Sequence, residues 1–405
     1  MSMSRENDSL GVESLREFEK TQRESVVAIL KELIAIPSFI DPDRPSQNEN
    51  LVVDFIEKWV QENTAFITER QELPGGRFNL LVKNGEPQTL FLAHTDTVPP
   101  SNNAQFDQLI PTELDGELWG RGATDMKSGI ASLMVTLLNP AAQEKNFWML
   151  FYADEEYDFL GMREFVEKYS ELKPSLIVSA DESDLKIGMG CRGLIELVAR
   201  IRGKAGHPGK GNGKSATQGM MSALLSLEEK LAQYAHPVMG NSVLNTAYML
   251  GGQTLPDSYH ENILVRVGKR ANVVPDICEA VIELRPAQLE LDAEVVVAHL
   301  KNECERMGLQ LELVEIRHDL GSMFTDPEMI PFIQDIYEKG FTEFADVKTT
   351  GYLDMQMVWE ALGFPLGIMF GSGIGSTAHT NEERISIRDL QTGLSFFNTV
   401  IESIE

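Results

Sequence analysis

Cysteine is scarce: the 405 residues hold only Cys191, Cys278 and Cys304. They are far apart, odd in number and outside any C-x-x-C spacing, which excludes a disulfide framework and a cysteine-based metal site and points to a reducing compartment. Long apolar runs are also lacking. The longest, such as FWMLFYA, fall well short of the ~20 residues a bilayer span requires. The opening stretch MSMSRENDSLGVESLREFEK is charged throughout and has no apolar segment of the signal-peptide kind, so a cytoplasmic protein is expected. Positive charge is the third shortage. Lys and Arg number 35 against 62 Asp and Glu, a formal net charge of -27 and a pI near 4.7. Such a field repels nucleic-acid phosphates and anionic lipid headgroups, so neither a nucleic-acid nor a membrane partner is expected.

What is present is ordinary globular material, 42% hydrophobic and 24% charged. A chain of this length exceeds the ~250 to 300 residues at which one core stops growing, so at least two domains are expected. Val26, Ile29, Leu30 and Leu33 follow helical spacing and Pro37 stops the run, which predicts a helix over 13–36. A second helix is predicted over 48–62. Apolar strands then follow in NLLVK, TLFLAHTD, NFWMLFYADEE and SLIVSADES, and much later in GIMFGSG. The segment MKSGIASLMVTLL supplies a helix between the second and third of these. Strands apolar on both faces that alternate with helices predict an α/β domain, a mostly parallel sheet flanked by helices.

The middle of the chain follows another rule. In GLIELVARIRG and ICEAVIELR the apolar residues strictly alternate with charged ones, which predicts a sheet with one wet face. With the helical TQGMMSALLSLEEKL and DAEVVVAHLKNECERMG and the strands VLNTAYML and LQLELVEIR, the order is β-α-β-β-α-β, a split βαβ pattern. An α+β, ferredoxin-like domain is therefore expected at 192–320, inserted into a discontinuous catalytic domain of residues 1–191 and 321–405.

Four apolar strands run into metal-ligand residue types: His94-Thr95-Asp96, Asp154-Glu155-Glu156, Asp181-Glu182, and, after GIMFGSG, Ala378-His379. Ligands of open parallel sheets bind beyond the carboxyl ends of the strands, so these four ends are expected to converge. Asp125, in WGRGATDMKSG just ahead of a helix, belongs to the same edge. Each residue alone has an ordinary explanation: a hydrogen-bonded histidine, a solvated acidic turn, a helix N-cap. Their recurrence at successive strand ends has none. Two histidines with several carboxylates suit Zn²⁺ or a similar ion, and a carboxylate is able to bridge two such ions. Adjacent glutamates allow one to ligate while the other does acid-base work.

HTDTVP, GRGATDMKSG, the strand followed by DEE, and GSGIGSTAHTNEE resemble the zinc amidohydrolase/peptidase family that contains acetylornithine deacetylase, succinyl-diaminopimelate desuccinylase, carboxypeptidase G and aminoacylase. The resemblance covers about residues 14 to 405 and includes an inserted lid of the expected size. It implies two divalent metal ions, Zn²⁺ first and Co²⁺ or Mn²⁺ as substitutes. By position, His94 corresponds to a ligand of one metal, Asp125 to the bridging carboxylate, and Glu156 and His379 to ligands of the other. Asp96 corresponds to the acid that orients the His94 imidazole, and Glu155 to the general base. The remaining ligand falls in SADES, where many relatives have GEP. Asp181 is assigned to it, with Glu182 as the alternative. In the lid, His207 of AGHPGKG resembles a histidine that reaches a partner subunit's site to stabilise an oxyanion, which implies a homodimer through the lid. Asn272 and Arg285 resemble residues that hold the substrate's carbonyl or carboxylate end, and Ser372 and Gly373 a substrate-facing loop. His236, His260, His299 and His318 match no motif and are assigned structural places. Two departures stand out: MKSG replaces the frequent MKGG, and the segment GGQTLPDSYHENILVRVGKRANVVP is longer than a plain connection.

The resemblance implies hydrolysis of an amide by a metal-bridged water with Glu155 as base, on N-acyl amino acids or small peptides. A deacylase is favoured, with a carboxypeptidase or dipeptidase as the alternative. A non-catalytic metal-binding scaffold would not need Glu155. Two-metal phosphoester hydrolysis would call for a phosphate-cradling glycine loop, which is missing.

Overall fold

The computed structural model describes residues 3–41, 48–254, 271–351 and 355–404, together with the short strands at 259–260, 263–264 and 267–268. The chain forms two compact units, one of Met1–Met189, Thr325–Ala345 and Met357–Glu405, the other of Gly190–Phe324 and Asp346–Gln356.

The first unit is a mixed α/β structure. Its sheet runs, edge to edge, through Ile67–Leu73, Arg77–Asn84, Phe147–Tyr152, Thr89–His94, Leu176–Ser179 and Leu366–Met369. The last four are mutually parallel, and Ile67–Leu73 with Arg77–Asn84 adds an antiparallel hairpin at one edge. Every residue of Thr89–His94, Phe147–Tyr152 and Leu176–Ser179 is buried. That burial on both faces is why these strands read as continuous apolar runs rather than alternating ones. The hairpin strand Ile67–Leu73 is mostly polar, has five of its seven positions at least partly exposed, and was not evident from hydropathy. Its tight connection uses Gly75 and Gly76 at φ 78 and 72, open to glycine without a steric penalty.

The register of the parallel strands positions everything that follows. His94 pairs with Tyr152, Leu92 with Ser179, and Met369 with Ser179, so the four carboxyl ends fall at one edge. The residues just beyond those ends are the acidic and histidine-bearing segments.

The opening helix, Met3–Ala35, starts earlier than the predicted 13 and ends as expected ahead of Pro37. It packs with Lys127–Thr136 and the C-terminal helix Ile387–Ser403. All ten residues of Lys127–Thr136 are buried. Gly129 sits where an added Cβ would lie 2.2 Å from the Ala180 carbonyl oxygen, so the glycine lets this helix approach the Leu176–Ser179 strand end. Lys127 Nζ donates to the carbonyls of Leu33 and Ile36 at 2.9 and 2.8 Å, adding a donor to the acceptors at the end of the first helix.

In the second unit five antiparallel strands lie in the order Val267–Gly268, Val243–Thr254, Ile277–Arg285, Leu194–Arg202, Gln310–Leu320. The alternating residues Ile195, Leu197, Ala199 and Ile201, with Cys278, Ala280, Ile282 and Leu284, form one core with helices Ala216–Leu231 and Ala293–Arg306. The opposite face is not uniformly wet. Arg200 is only 2% exposed and Glu279 6%, and Arg200 Nη2 donates to Glu279 Oε2 at 2.6 Å. A paired guanidinium and carboxylate keep their hydrogen bonds when buried, so charge alone does not mark the solvent face here.

This unit is wider than 192–320. Gly190–Cys191 pairs with Met323–Phe324. Residues 346–356 join it because Gln356 Nε2 donates to the carbonyls of Arg192 and Gly321, and Val347 packs with Met239 and Ala287. In GGQTLPDSYHENILVRVGKRANVVP, residues 255–258, 261–262, 265–266 and 269–270 lie outside the described residues, as does the His260 side chain. His236 has a structural place: its Nδ1 accepts from the amides of Val238 and Met239 at 3.2 and 3.1 Å.

Candidate metal centre

Asp125 is the hub of the carboxyl-edge cluster. Its Oδ1 lies 2.9 Å from His94 Nε2 and its Oδ2 lies 2.9 Å from His379 Nε2. The two oxygens of one carboxylate thus face two imidazoles. His379 Nε2 is also 2.9 Å from Glu156 Oε1. Two sets of ligand atoms emerge, His94 with Asp125 and Asp181, and Asp125 with Glu156 and His379, with the atoms of each set within 4.8 Å of one another. The strand ends that hydropathy placed at one edge therefore bring together His94, Asp125, Glu156, Asp181 and His379.

The electrostatics of these groups suit a divalent cation. Burial alone would push the His94 imidazole down, yet Asp125 and Asp96 hold it well above its usual range. The hydrogen bonds of Asp125 and Glu156 push His379 up to about 10. Burial works against an ionised Asp125, but the two histidines keep its carboxyl well below the usual range. Burial raises Glu156, Asp181 and Glu182, with neighbouring carboxylates adding to the rise. Protons thus stand where cations would bring the same relief. The donor set of two imidazoles and several carboxylates fits Zn²⁺ or a similar ion, and Asp125 offers one oxygen to each set.

Asp96 does more than sit near the His94 ring. Its Oδ1 accepts from the amide of Glu155 at 3.1 Å and its Oδ2 from the amide of Glu156 at 3.0 Å. His94 Nδ1 lies 3.1 Å from the Asp96 carbonyl oxygen and 3.6 Å from its Oδ1. One carboxylate therefore clamps the turn that carries both glutamates, alongside the imidazole on the neighbouring strand. Glu155 is partly buried in that turn.

The turn has a second anchor that motif reasoning missed. Asp154, at φ 73, accepts from Arg77 Nη1 at 2.7 Å, and Arg77 also bonds the fully buried Glu49 at 2.8 Å. Glu49 and Arg77 lie in unremarkable stretches of sequence, and only their burial reveals them. Arg121 and Glu383 also went unassigned, although they stand inside GRGATD and TNEE. Both are buried and bonded to each other.

The other expected residues fall in separate places. Gly373 lies at the carboxyl edge, where an added Cβ would meet the Thr124 carbonyl oxygen at 2.6 Å and Glu182 Cβ at 2.7 Å. Ser372 is buried, and its Oγ would lie 3.0 Å from a Cβ at Gly393 of the C-terminal helix. His207, Asn272 and Arg285 belong to the second unit. His207 is exposed, with its Nδ1 accepting from the Gly209 amide at 3.1 Å. Asn272 is exposed in a turn. Arg285 Nε donates to Glu283 at 2.9 Å.

A mostly parallel α/β sheet with two histidine-carboxylate sets sharing one aspartate at its carboxyl edge has the build of a metal-dependent hydrolase. Residues 90–403 match Peptidase family M20/M25/M40, and the chain belongs to that family. It is 28% identical over 278 residues to acetylornithine deacetylase of Erwinia tasmaniensis, a match covering 66% of this chain and 69% of the relative. Aminopeptidase PepT from Bacillus cereus has a similar structure, with a TM-score of 0.69 at 18% identity over 94% of this chain and 98% of that one. The YXEP protein of Bacillus subtilis, described as a dinuclear metal binding peptidase, has a TM-score of 0.63 at 16% identity over 95% and 98% of the two chains. The chain is accordingly a hydrolase of amide or peptide bonds.

Proposed function

We propose that the protein is a two-metal amidohydrolase that removes acyl groups from N-acyl amino acids. The observation that carries this reading is the division of Asp125 between His94 and His379, 2.9 Å from each. His94, Asp125 and Asp181 would hold one ion and Asp125, Glu156 and His379 the other. Zn²⁺ is the expected metal, since imidazole and carboxylate donors suit it, with Co²⁺ or Mn²⁺ as substitutes. Bound there, the ions supply the positive charge that acidifies a water near neutral pH and polarises the amide carbonyl.

The chain's own groups do the rest. Glu155 takes the proton of the attacking water and returns it to the leaving nitrogen as the C–N bond breaks, giving a carboxylate and a free amine. Asp96 holds Glu155 in place through its amide. His207 Nδ1 accepts a backbone hydrogen bond, so its neutral tautomer carries the proton on Nε2 and is able to donate to an oxyanion. We assign it that role in a partner subunit's site, within a homodimer assembled through the inserted lid domain, about residues 192–320. Arg285 and Asn272 are assigned to the substrate's carboxylate or carbonyl end, and Ser372 and Gly373 to the shape of the loop beside His379. The burial of all three cysteines, far apart in the chain, suits a cytoplasmic setting.

The similarity to acetylornithine deacetylases supports a deacylase. The peptidase fold neighbours, a dipeptidase and a carboxypeptidase among them, keep a dipeptidase or carboxypeptidase as the second reading. The test is mass-spectrometric hydrolysis of a panel of N-acyl amino acids and dipeptides by the Zn²⁺-loaded protein beside Glu155→Gln. The expected outcome is release of amine from acylated substrates, with kcat lowered ~10²- to 10⁴-fold in the variant at unchanged metal content. Metal-loaded protein that turns over nothing in either form would favour the scaffold. Light scattering is expected to give twice the 45.2 kDa chain mass, and a monomer at assay concentration would remove His207 from the mechanism.

A further inference from the structure

The loop that carries Asp125 and the loop that carries His379 are joined by a set of bonds that the proposed reaction does not use. Glu383 is 1% exposed and Arg121 2%. Glu383 Oε2 accepts from Arg121 Nη1 at 2.5 Å, while its Oε1 accepts from the amides of Thr124 and Asp125 at 3.1 and 3.2 Å. Arg121 Nη2 donates to the Thr380 carbonyl oxygen at 3.3 Å, and Gln108 Nε2 donates to the same oxygen at 3.0 Å. The Thr124 hydroxyl donates to the Arg384 carbonyl at 2.8 Å and meets Thr377 Oγ1 at 3.2 Å. These bonds tie 121–125 to 377–384, and His379 lies between the anchored Thr377 and Thr380. His379 has φ 60, a left-handed conformation that a non-glycine residue keeps only where its surroundings over-determine it.

A pair that served stability alone could be replaced by apolar side chains at little or no loss. Apolar replacements would leave the Thr124 and Asp125 amides without an acceptor and the two loops free to drift apart. We propose that the buried Arg121–Glu383 pair is a positioning device that sets the spacing between Asp125 and His379, and so the affinity of the Asp125–Glu156–His379 set for its cation. The inference rests on the assignment of Asp125 and His379 as metal ligands. Arg121 and Glu383 touch no reacting atom in this scheme. They act through the backbone of Asp125 and the turn that carries His379.

The test is a pair of stepwise Zn²⁺ dissociation constants, measured by competition with a chromophoric chelator for wild type, Glu383→Gln, Glu383→Asp and His379→Ala, with the Tm of each metal-free protein. Glutamine, with its one oxygen kept on the two amides, turns its NH₂ toward Arg121 in place of the carboxylate oxygen. The expected result is a ~10- to 100-fold rise in one constant, the same one that His379→Ala abolishes, with the other much less affected and part of the loss recovered in Glu383→Asp. Both constants unchanged, or both raised by one factor in step with a fall in metal-free Tm, would overturn the proposal and leave the pair a stability element. If wild type binds fewer than two ions, the metal-centre reading itself fails, and the proposal with it. Should Glu383→Gln not fold, Arg121→Lys supports the same comparison, because it keeps the buried charge and withdraws the second arm that reaches Thr380.

Discussion

Single carboxylates in this protein serve several masters at once, and Asp96 is the clearest case. Its two oxygens take the amides of Glu155 and Glu156 while it lies beside the His94 ring. Asparagine offers one carbonyl oxygen for two donors and turns an NH₂ group toward the other, so one amide goes unsatisfied. Asp96→Asn is expected to lose ~1 to 3 kcal/mol of folding stability and to bind metal ~10- to 100-fold more weakly. Denaturant titration and chelator competition check the two effects. If both stay at wild-type values, the glutamate turn is held by Arg77 and Asp154 alone. Residue type and spacing singled out His94, Asp125, Glu155, Glu156 and His379 as candidates, because metal and proton chemistry restrict the usable side chains. Arg77, Glu49, Arg121 and Glu383 were not legible, since a surface ion pair and a buried one look the same in sequence.

Among the elements, the edge hairpin shows how a polar strand is held. Glu69, on Ile67–Leu73, accepts from Lys83 at 2.6 Å, Lys168 at 3.1 Å and the Tyr169 hydroxyl at 2.5 Å, which ties the strand to its neighbour and to the end of helix Leu160–Lys168. The Lys83 ammonium beside it leads in holding the Glu69 carboxyl down at about 2, against an ordinary 4.5. A carboxyl depressed in the folded state stabilises above its unfolded pKa, and that contribution is lost as pH falls from about 4.5 toward about 2. Glu69→Gln should therefore be less stable than wild type near neutrality, with the gap closing below about 4.5. Urea midpoints at pH 7, 5 and 3.5 measure it, and a gap of constant size would show that Glu69 contributes nothing through its charge. Hydropathy could not flag this strand because five of its seven positions are at least partly exposed, whereas the parallel strands, almost wholly buried on both faces, announced themselves.

For the whole molecule, net charge and metal content belong together. A chain of formal charge -27 gathers Asp96, Asp125, Glu155, Glu156, Asp181 and Glu182 at one sheet edge, where mutual repulsion opposes the compact state. Cations that bind the folded protein and not the unfolded one stabilise it by mass action, ~2.7 kcal/mol for a site at 100 times its Kd. Removing metal with a chelator is expected to lower Tm, and adding Zn²⁺ back to restore it in a concentration-dependent way. Calorimetry of the metal-free and reloaded protein checks this. An unmoved Tm would mean that the acidic edge is stable without cations and would count against the two-ion reading.

Element order and the candidate chemistry are written locally. Helical and strand periods are written within a few residues, so the parallel strands, the helix after Asp125 and the β-α-β-β-α-β run of the second unit could be read without coordinates. Ligand types at strand ends could be read as well, because a parallel sheet sends its functional groups to one edge. Three things waited for the tertiary structure: which oxygen of Asp125 faces which histidine, the bond between Arg121 and Glu383 across 262 positions of chain, and the burial of Arg200 with Glu279 on a face expected to be wet. The physical reason is common to all three. Register and burial arise from contacts between distant segments, and a charged residue gives no sign in sequence of whether its partner will be water or another side chain.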